Sequence, residues 1–125
     1  MDIKELFNLQ GKTAIVTGGG RGLGEQIATV YAEAGANVVV CSRNEEACQQ
    51  VSERLKEKGV RSLAFKCDVS NEEEINNVVN ETLKEFGTID ILVNNSGTSW
   101  GAPALEMPTD KWDKVMDINL KAIFL

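Results

Sequence analysis

The sequence predicts an α/β fold built around a doubly wound parallel sheet, and three observations carry that expectation. Short β-branched runs alternate along the chain with segments whose apolar residues recur at helical spacing. A glycine-rich turn, residues 17–24, joins the first of the strands to the first of the helices. The run 89–93 is apolar throughout except for Asp90, the pattern of a strand covered on both faces.

Each element follows from local composition. Residues 13–17 form the first strand, and Leu23, Ile27, Val30, Tyr31 and Ala34 then mark the apolar face of a helix that Gly35 ends. Residues 37–41 are a second strand. Ala47, Val51 and Leu55, four apart, define a second helix with Gly59 as its stop. Residues 62–67 give a third strand. Ser70-Asn71-Glu72-Glu73 matches a capping box with Ser70 as the cap, opening a helix whose apolar face is Ile75, Val78, Val79, Leu83 and Phe86 and which Gly87 ends. After the fourth strand comes an irregular stretch, residues 94–109, and then a helix marked by Trp112, Val115, Met116 and Ile123. Strands alternating with helices require right-handed crossovers, and a long loop after a strand's carboxyl end lies where open α/β sheets place their ligands.

The 125 residues suit one domain, 1–125, and the 42% apolar and 26% charged content is that of a globular protein. A formal charge of -6 disfavours nucleic acid and anionic membrane as partners, so any phosphate site must be local. The absence of histidine removes Ser-His and Cys-His nucleophile pairs and the usual histidine metal ligands. Cys41, Cys48 and Cys67 form no C-x-x-C pair and are expected as buried thiols, with no metal site. The acidic amino terminus is unlike a signal peptide and no run is long enough to span a bilayer, so a cytoplasmic location is expected.

The glycine-rich turn, Thr17-Gly18-Gly19-Gly20-Arg21-Gly22-Leu23-Gly24, suits a pyrophosphate, because a helix N-terminus offers unpartnered N–H groups and partial positive charge. Its spacing is G-x-x-x-G-x-G and not G-x-G-x-x-G, and no lysine follows as a P-loop requires. The turn resembles that of the short-chain dehydrogenase/reductase family, T-G-x-x-x-G-x-G, matched by Thr17, Gly18, Gly22 and Gly24. Asp68-Val69 is similar to the family's Asp-Val after the third strand, where the Asp holds the adenine amino group. Asn94-Asn95-Ser96-Gly97 is similar to its Asn-Asn-Ala-Gly beside the cofactor ribose, departing from that pattern at Ser96.

The resemblance implies a Rossmann-type doubly wound parallel sheet, the first four strands, in order 3-2-1-4, of a larger one. It implies a cofactor-binding set of Gly18, Gly20, Arg21, Gly22, Leu23 and Gly24 in the turn, Ser42 and Arg43 after the second strand, Asp68 and Val69 after the third, and Asn95, Ser96 and Gly97 after the fourth. It assigns Asn119 a catalytic part, supporting a water-mediated proton relay to the active-site lysine. An NAD site places an acid at the end of the second strand, whereas this chain has Ser42 and Arg43 there and Arg21 in the turn; NADP is therefore expected over NAD. Ser42 has a second role open to it, capping the next helix through a box with Glu45.

Residues 95–103 resemble the gluconate 5-dehydrogenase branch, which implies hydride transfer between NADP(H) and a hydroxyl or ketone on a sugar acid, although Trp100 equally suits a packing anchor. The family's catalytic serine and Tyr-x-x-x-Lys would follow Leu125; Tyr31, with Gly35 four residues later, is expected in the core. The 125-residue chain alone is thus expected to be inactive, with its fourth-strand edge exposed. Three classes stay open: the cofactor-binding part of an oxidoreductase with a small carbonyl or alcohol substrate, a non-catalytic NADP(H)-binding module, and a partner-binding fragment. A homo-oligomer is what the resemblance implies for a full-length enzyme.

Overall fold

The structure is a computed structural model that describes residues 3–95. Its elements are α1 (Ile3–Leu6), β1 (Thr13–Thr17), α2 (Gly22–Glu33), β2 (Asn37–Ser42), α3 (Glu45–Lys56), β3 (Ser62–Lys66), α4 (Glu72–Phe86) and β4 (Ile91–Val93). The strands form one parallel sheet in the order β3-β2-β1-β4, the order expected. The helix expected around Trp112 to Ile123, and most of the loop before it, lie outside the described residues.

All five residues of β1 are buried, as a central strand covered on both faces requires. Alternation along β2 divides the core in two. Val38 and Val40 join Val16, Ala28, Ala32, Cys48, Val51 and Leu55 beneath α2 and α3. Val39 and Cys41 join Ile15, Cys67 and Val78 on the α4 side. Tyr31 packs, half-buried, against the first of these clusters, so it is placed with the core as expected.

The helix faces depart from the expectation in one instructive way. The buried stripe of α2 is Gly24, Ala28 and Ala32, while Leu23 and Val30 are 64% and 59% exposed. Small residues face the sheet because the helix sits very close to it. A Cβ on Gly24 would lie 2.1 Å from the Gly18 carbonyl oxygen and 2.6 Å from Asn95 Nδ2. Gly18 itself takes a left-handed φ of 63°, and a Cβ there would meet Asn95 at 3.1 Å. On α4, Val78 and Thr82 are buried, but Leu83 is 43% exposed.

Both capping boxes are displaced. The cap of α4 is Asn71, whose side chain accepts from Glu74 N–H at 3.2 Å, and not Ser70. Ser70 is already engaged: its N–H and its hydroxyl both donate to Asp68 Oδ1, at 3.0 and 2.6 Å. Asn44, not Ser42, caps α3, accepting from Ala47 N–H at 3.0 Å. β4 is shorter than expected, beginning at Ile91, and Leu92 is 56% exposed. Asp90 instead clamps Thr13, accepting from its N–H through Oδ2 at 2.9 Å and donating its own N–H to the Thr13 carbonyl at 2.9 Å.

A second latch joins β4 to β1 at the opposite end. Thr17 Oγ1 donates to the Val93 carbonyl at 3.1 Å and accepts from Asn95 N–H at 2.9 Å, and Asn95 Nδ2 reaches the Gly18 carbonyl at 3.3 Å.

Two substitutions test these contacts. Gly24→Ala improves helix propensity by about 1 kcal/mol, yet the clash is with backbone that cannot step aside, so a net loss of about 1–3 kcal/mol is expected in chemical denaturation. Thr17→Val preserves shape while leaving the Val93 carbonyl and the Asn95 N–H without that hydroxyl, and a loss of about 1–3 kcal/mol is expected from the same measurement.

Candidate nucleotide-cofactor site

β2 and β4 lie on opposite sides of β1, so the chain reverses its winding direction there, and the crevice at the carboxyl ends of the strands is where such sheets bind ligands. A cleft of about 550 Å³ occupies that position. The β1–α2 turn lines it with Gly18, Gly20, Arg21, Gly22 and Leu23. Ser42, Arg43, Asn44 and Ala47 come from the β2–α3 junction, Cys67, Asp68 and Val69 follow β3, and Asn95 follows β4.

Ten of the residues expected at a cofactor site therefore meet in one cleft. Gly24 does not line it; buried beneath, it lets α2 approach Gly18 and Asn95. Ser96, Gly97 and Asn119 lie outside the described residues. Asn44, Ala47 and Cys67 line the cleft without having been expected there. An Asn directly before two glutamates is a recognisable helix cap, so Asn44 had a local signal. Ala47 and Cys67 carry none, because packing alone brings them to the wall.

The helix N-termini differ in a way that bears on ligand chemistry. α3 and α4 have Asn side chains as caps, whereas α2, which opens on the cleft behind Arg21, has no side-chain cap. Its first-turn N–H groups and the positive end of its dipole are left for an anion. Arg21 and Arg43 are exposed on the cleft rim, and the ion pairs among the described residues use Arg54, Lys56, Lys58 and Arg61 instead. The end of β2 carries no acid. Within an acidic protein, the cleft is a local concentration of donors and positive charge.

Asp68 also lines the cleft, with its carboxylate held by Ser70. Oδ1 takes the two bonds from Ser70, while the Asp68 N–H donates to Glu74 Oε2 at 3.1 Å. All three cysteines are buried and unpaired. Burial pushes the Cys48 thiol above its ordinary value, and the hydrogen bond with Cys67, together with burial, holds Cys41 far above it. Among the described residues, no group of His, Cys, Asp and Glu side chains is arranged to hold a metal ion, and no helix is long and apolar enough to cross a membrane.

The model of the short chain dehydrogenase family matches residues 12–125. A rhamnolipid-biosynthesis 3-oxoacyl-[acyl-carrier-protein] reductase of Pseudomonas aeruginosa is 42% identical over 118 residues, covering 94% of this chain and 46% of the relative. A sorbose reductase of Candida albicans is 35% identical over 125 residues, covering 98% of this chain and 44% of the relative. The chain thus spans about half the length of the curated relatives it matches. A short-chain type dehydrogenase/reductase from Mycobacterium marinum superposes with a TM-score of 0.94 at 34% identity, over 98% of this chain and 48% of that one. The Pseudomonas aeruginosa RhlG/NADP active-site complex superposes at 0.86 with 41% identity, over 94% and 46%. The turn from Thr17 to Gly24, the parallel sheet with its reversal at β1, and these matches agree: this chain belongs to the short-chain dehydrogenase family.

Proposed function

We propose that this chain is the cofactor-binding part of an NADP(H)-dependent oxidoreductase that interconverts a hydroxyl and a ketone on a small-molecule substrate. The observation that carries the reading is the uncapped N-terminus of α2, opening between Arg21 and Arg43 on a cleft whose β2 side bears no acid. The N–H groups of the turn and of the first turn of α2 would hold the pyrophosphate. Arg21, Ser42 and Arg43 would hold a 2′-phosphate, the two guanidiniums through charge-assisted bonds. Asp68 would accept from the adenine amino group, and Val69 would cover the ring. Asn95, anchored to Thr17 and Gly18, would face the ribose on the nicotinamide side.

A nicotinamide held there would supply or accept the hydride, chemistry that side chains do not provide. The likeness to an NADP complex supports the cofactor assignment, and the absence of an acid after β2 favours NADP over NAD. The two curated relatives, a 3-oxoacyl-[acyl-carrier-protein] reductase and a sorbose reductase, support ketone and hydroxyl chemistry. They lend no support to gluconate, the substrate implied by the resemblance over residues 95–103. Three buried free thiols suit a reducing, cytoplasmic setting.

Fluorescence titration with NADPH and NADH tests the reading. NADPH is expected to bind more tightly. Removing either guanidinium, as Arg21→Ala or Arg43→Ala, forfeits a charge-assisted interaction and is expected to weaken NADPH on the order of 10-fold or more while leaving NADH little changed. NADH binding as tightly as NADPH to the unmodified protein overturns the assignment.

A further inference from the structure

Ser42 stands at the end of β2 on the wall of the cleft, and its hydroxyl is shared among three groups. The Asn44 N–H donates to Oγ at 3.2 Å. The Asn44 carbonyl lies 3.2 Å away as an acceptor for the hydroxyl proton. Cys48 Sγ lies at 3.1 Å, a contact in which either atom has a proton to give. A serine oxygen has two lone pairs and one proton, so the direction of the sulfur contact decides what Ser42 offers a ligand.

Cys48 is fully buried among Val16, Ala28, Val38, Val51 and Leu55; burial pushes its thiol above the ordinary value while the contact with Ser42 pulls it down, and the protonated thiol has an S–H to give. With S–H donating, the Asn44 N–H and the Cys48 thiol together fill both lone pairs of Ser42. The hydroxyl proton, resting on the Asn44 carbonyl, is then the one valence left to turn towards the cleft. Ser42 becomes a donor only. A phosphate, which is all acceptor, is served by that polarity with a charge-assisted bond, whereas a ribose hydroxyl can only accept a neutral bond from it and finds no lone pair for its own proton.

The same thiol supports the other side of the pocket. A Cβ on Gly20 would lie 3.2 Å from Ser42 Oγ and 3.3 Å from Cys48 Sγ, so the glycine-rich turn rests on this pair immediately before Arg21. Cys48 thus sits beneath both segments that would hold a 2′-phosphate.

We infer that Cys48 is a positioning residue for cofactor selection, its thiol donating to Ser42 so that the serine presents a donor, and no acceptor, to the 2′ position of the cofactor ribose. The inference rests on the NADP reading above. Without the thiol, a lone pair of Ser42 opens to a ribose hydroxyl, which helps NADH and weakens the bond to phosphate.

The test is the ratio of NADPH to NADH dissociation constants, by fluorescence titration, in Cys48→Ala, Cys48→Val and Cys48→Ser. The Ala and Val variants are expected to lower the preference for NADPH by about 3- to 10-fold, the worth of one neutral hydrogen bond, and the Ser variant, which restores a donor, to keep it. Val fills the space of the thiol, so a purely packing role for Cys48 predicts the opposite order. Ser42→Ala, a change at the cleft wall that leaves the core intact, is expected to lower the preference as much, and removing the thiol in that background to lower it no further. Unchanged preference in the Ala and Val variants, equal loss in the Ser variant, or additive losses with Ser42→Ala overturn the inference while leaving the NADP reading standing. No NADPH preference in the unmodified protein overturns the reading beneath it.

Discussion

The close approach of α2 to the end of β1 governs the rest of the structure. At Gly24 the helix lies so near the Gly18 carbonyl that no side chain fits between them, and Asn95 is drawn into the same contact from the end of β4. The end of β1 and the start of α2 therefore meet, at one point, a segment more than seventy residues further along the sequence. Because α2 is pressed down with Gly24, Ala28 and Ala32 against the sheet, its N-terminus opens directly above the carboxyl ends of the strands. Packing and ligand chemistry are set by the same glycine: a bulkier contact would lift the helix and carry its uncapped N–H groups away from the crevice.

Around that point the polar groups follow a division of labour. Side chains that close the structure are already committed to protein partners, as with Thr17 to Val93 and Asn95, Asp90 to Thr13, and Asn44 and Asn71 to the helices they cap. The donors facing the cleft at the β1–α2 turn are not so committed. An overall charge of -6 would repel a dinucleotide at long range, so the proposed binding would depend on short-range donors, and two arginines on the cleft rim would carry more weight here than in a basic protein.

How much of this the sequence discloses depends on which interactions are local. The strands are legible because β-branched runs end at turns, and the helix stops are legible because Gly35, Gly59 and Gly87 all take left-handed φ. The face of α2 is not. Counting large apolar residues selects Leu23 and Val30, whereas the sheet selects the smallest residues, a choice that exists only once the helix is docked. The caps shift by one or two residues for a similar reason: Asp68 captures Ser70, and Ser42 is tied to Asn44 and Cys48, which leaves the neighbouring asparagines to cap. The site is legible where a motif carries it, at the turn, at Arg43, Asp68 and Asn95. Ala47 and Cys67 enter it through packing, and Cys48 lies in the core behind Ser42.

The proposed fit of the crevice above β1 to a 2′-phosphorylated adenosine can be measured. Amide chemical-shift mapping addresses it directly, comparing adenosine 2′,5′-bisphosphate with adenosine 5′-monophosphate on the same labelled protein. The account predicts that both shift the amides of Asp68 and Val69, and that only the 2′-phosphorylated ligand strongly shifts Gly20, Arg21, Ser42 and Arg43. Identical maps for the two ligands, or shifts centred away from this cleft, would contradict it.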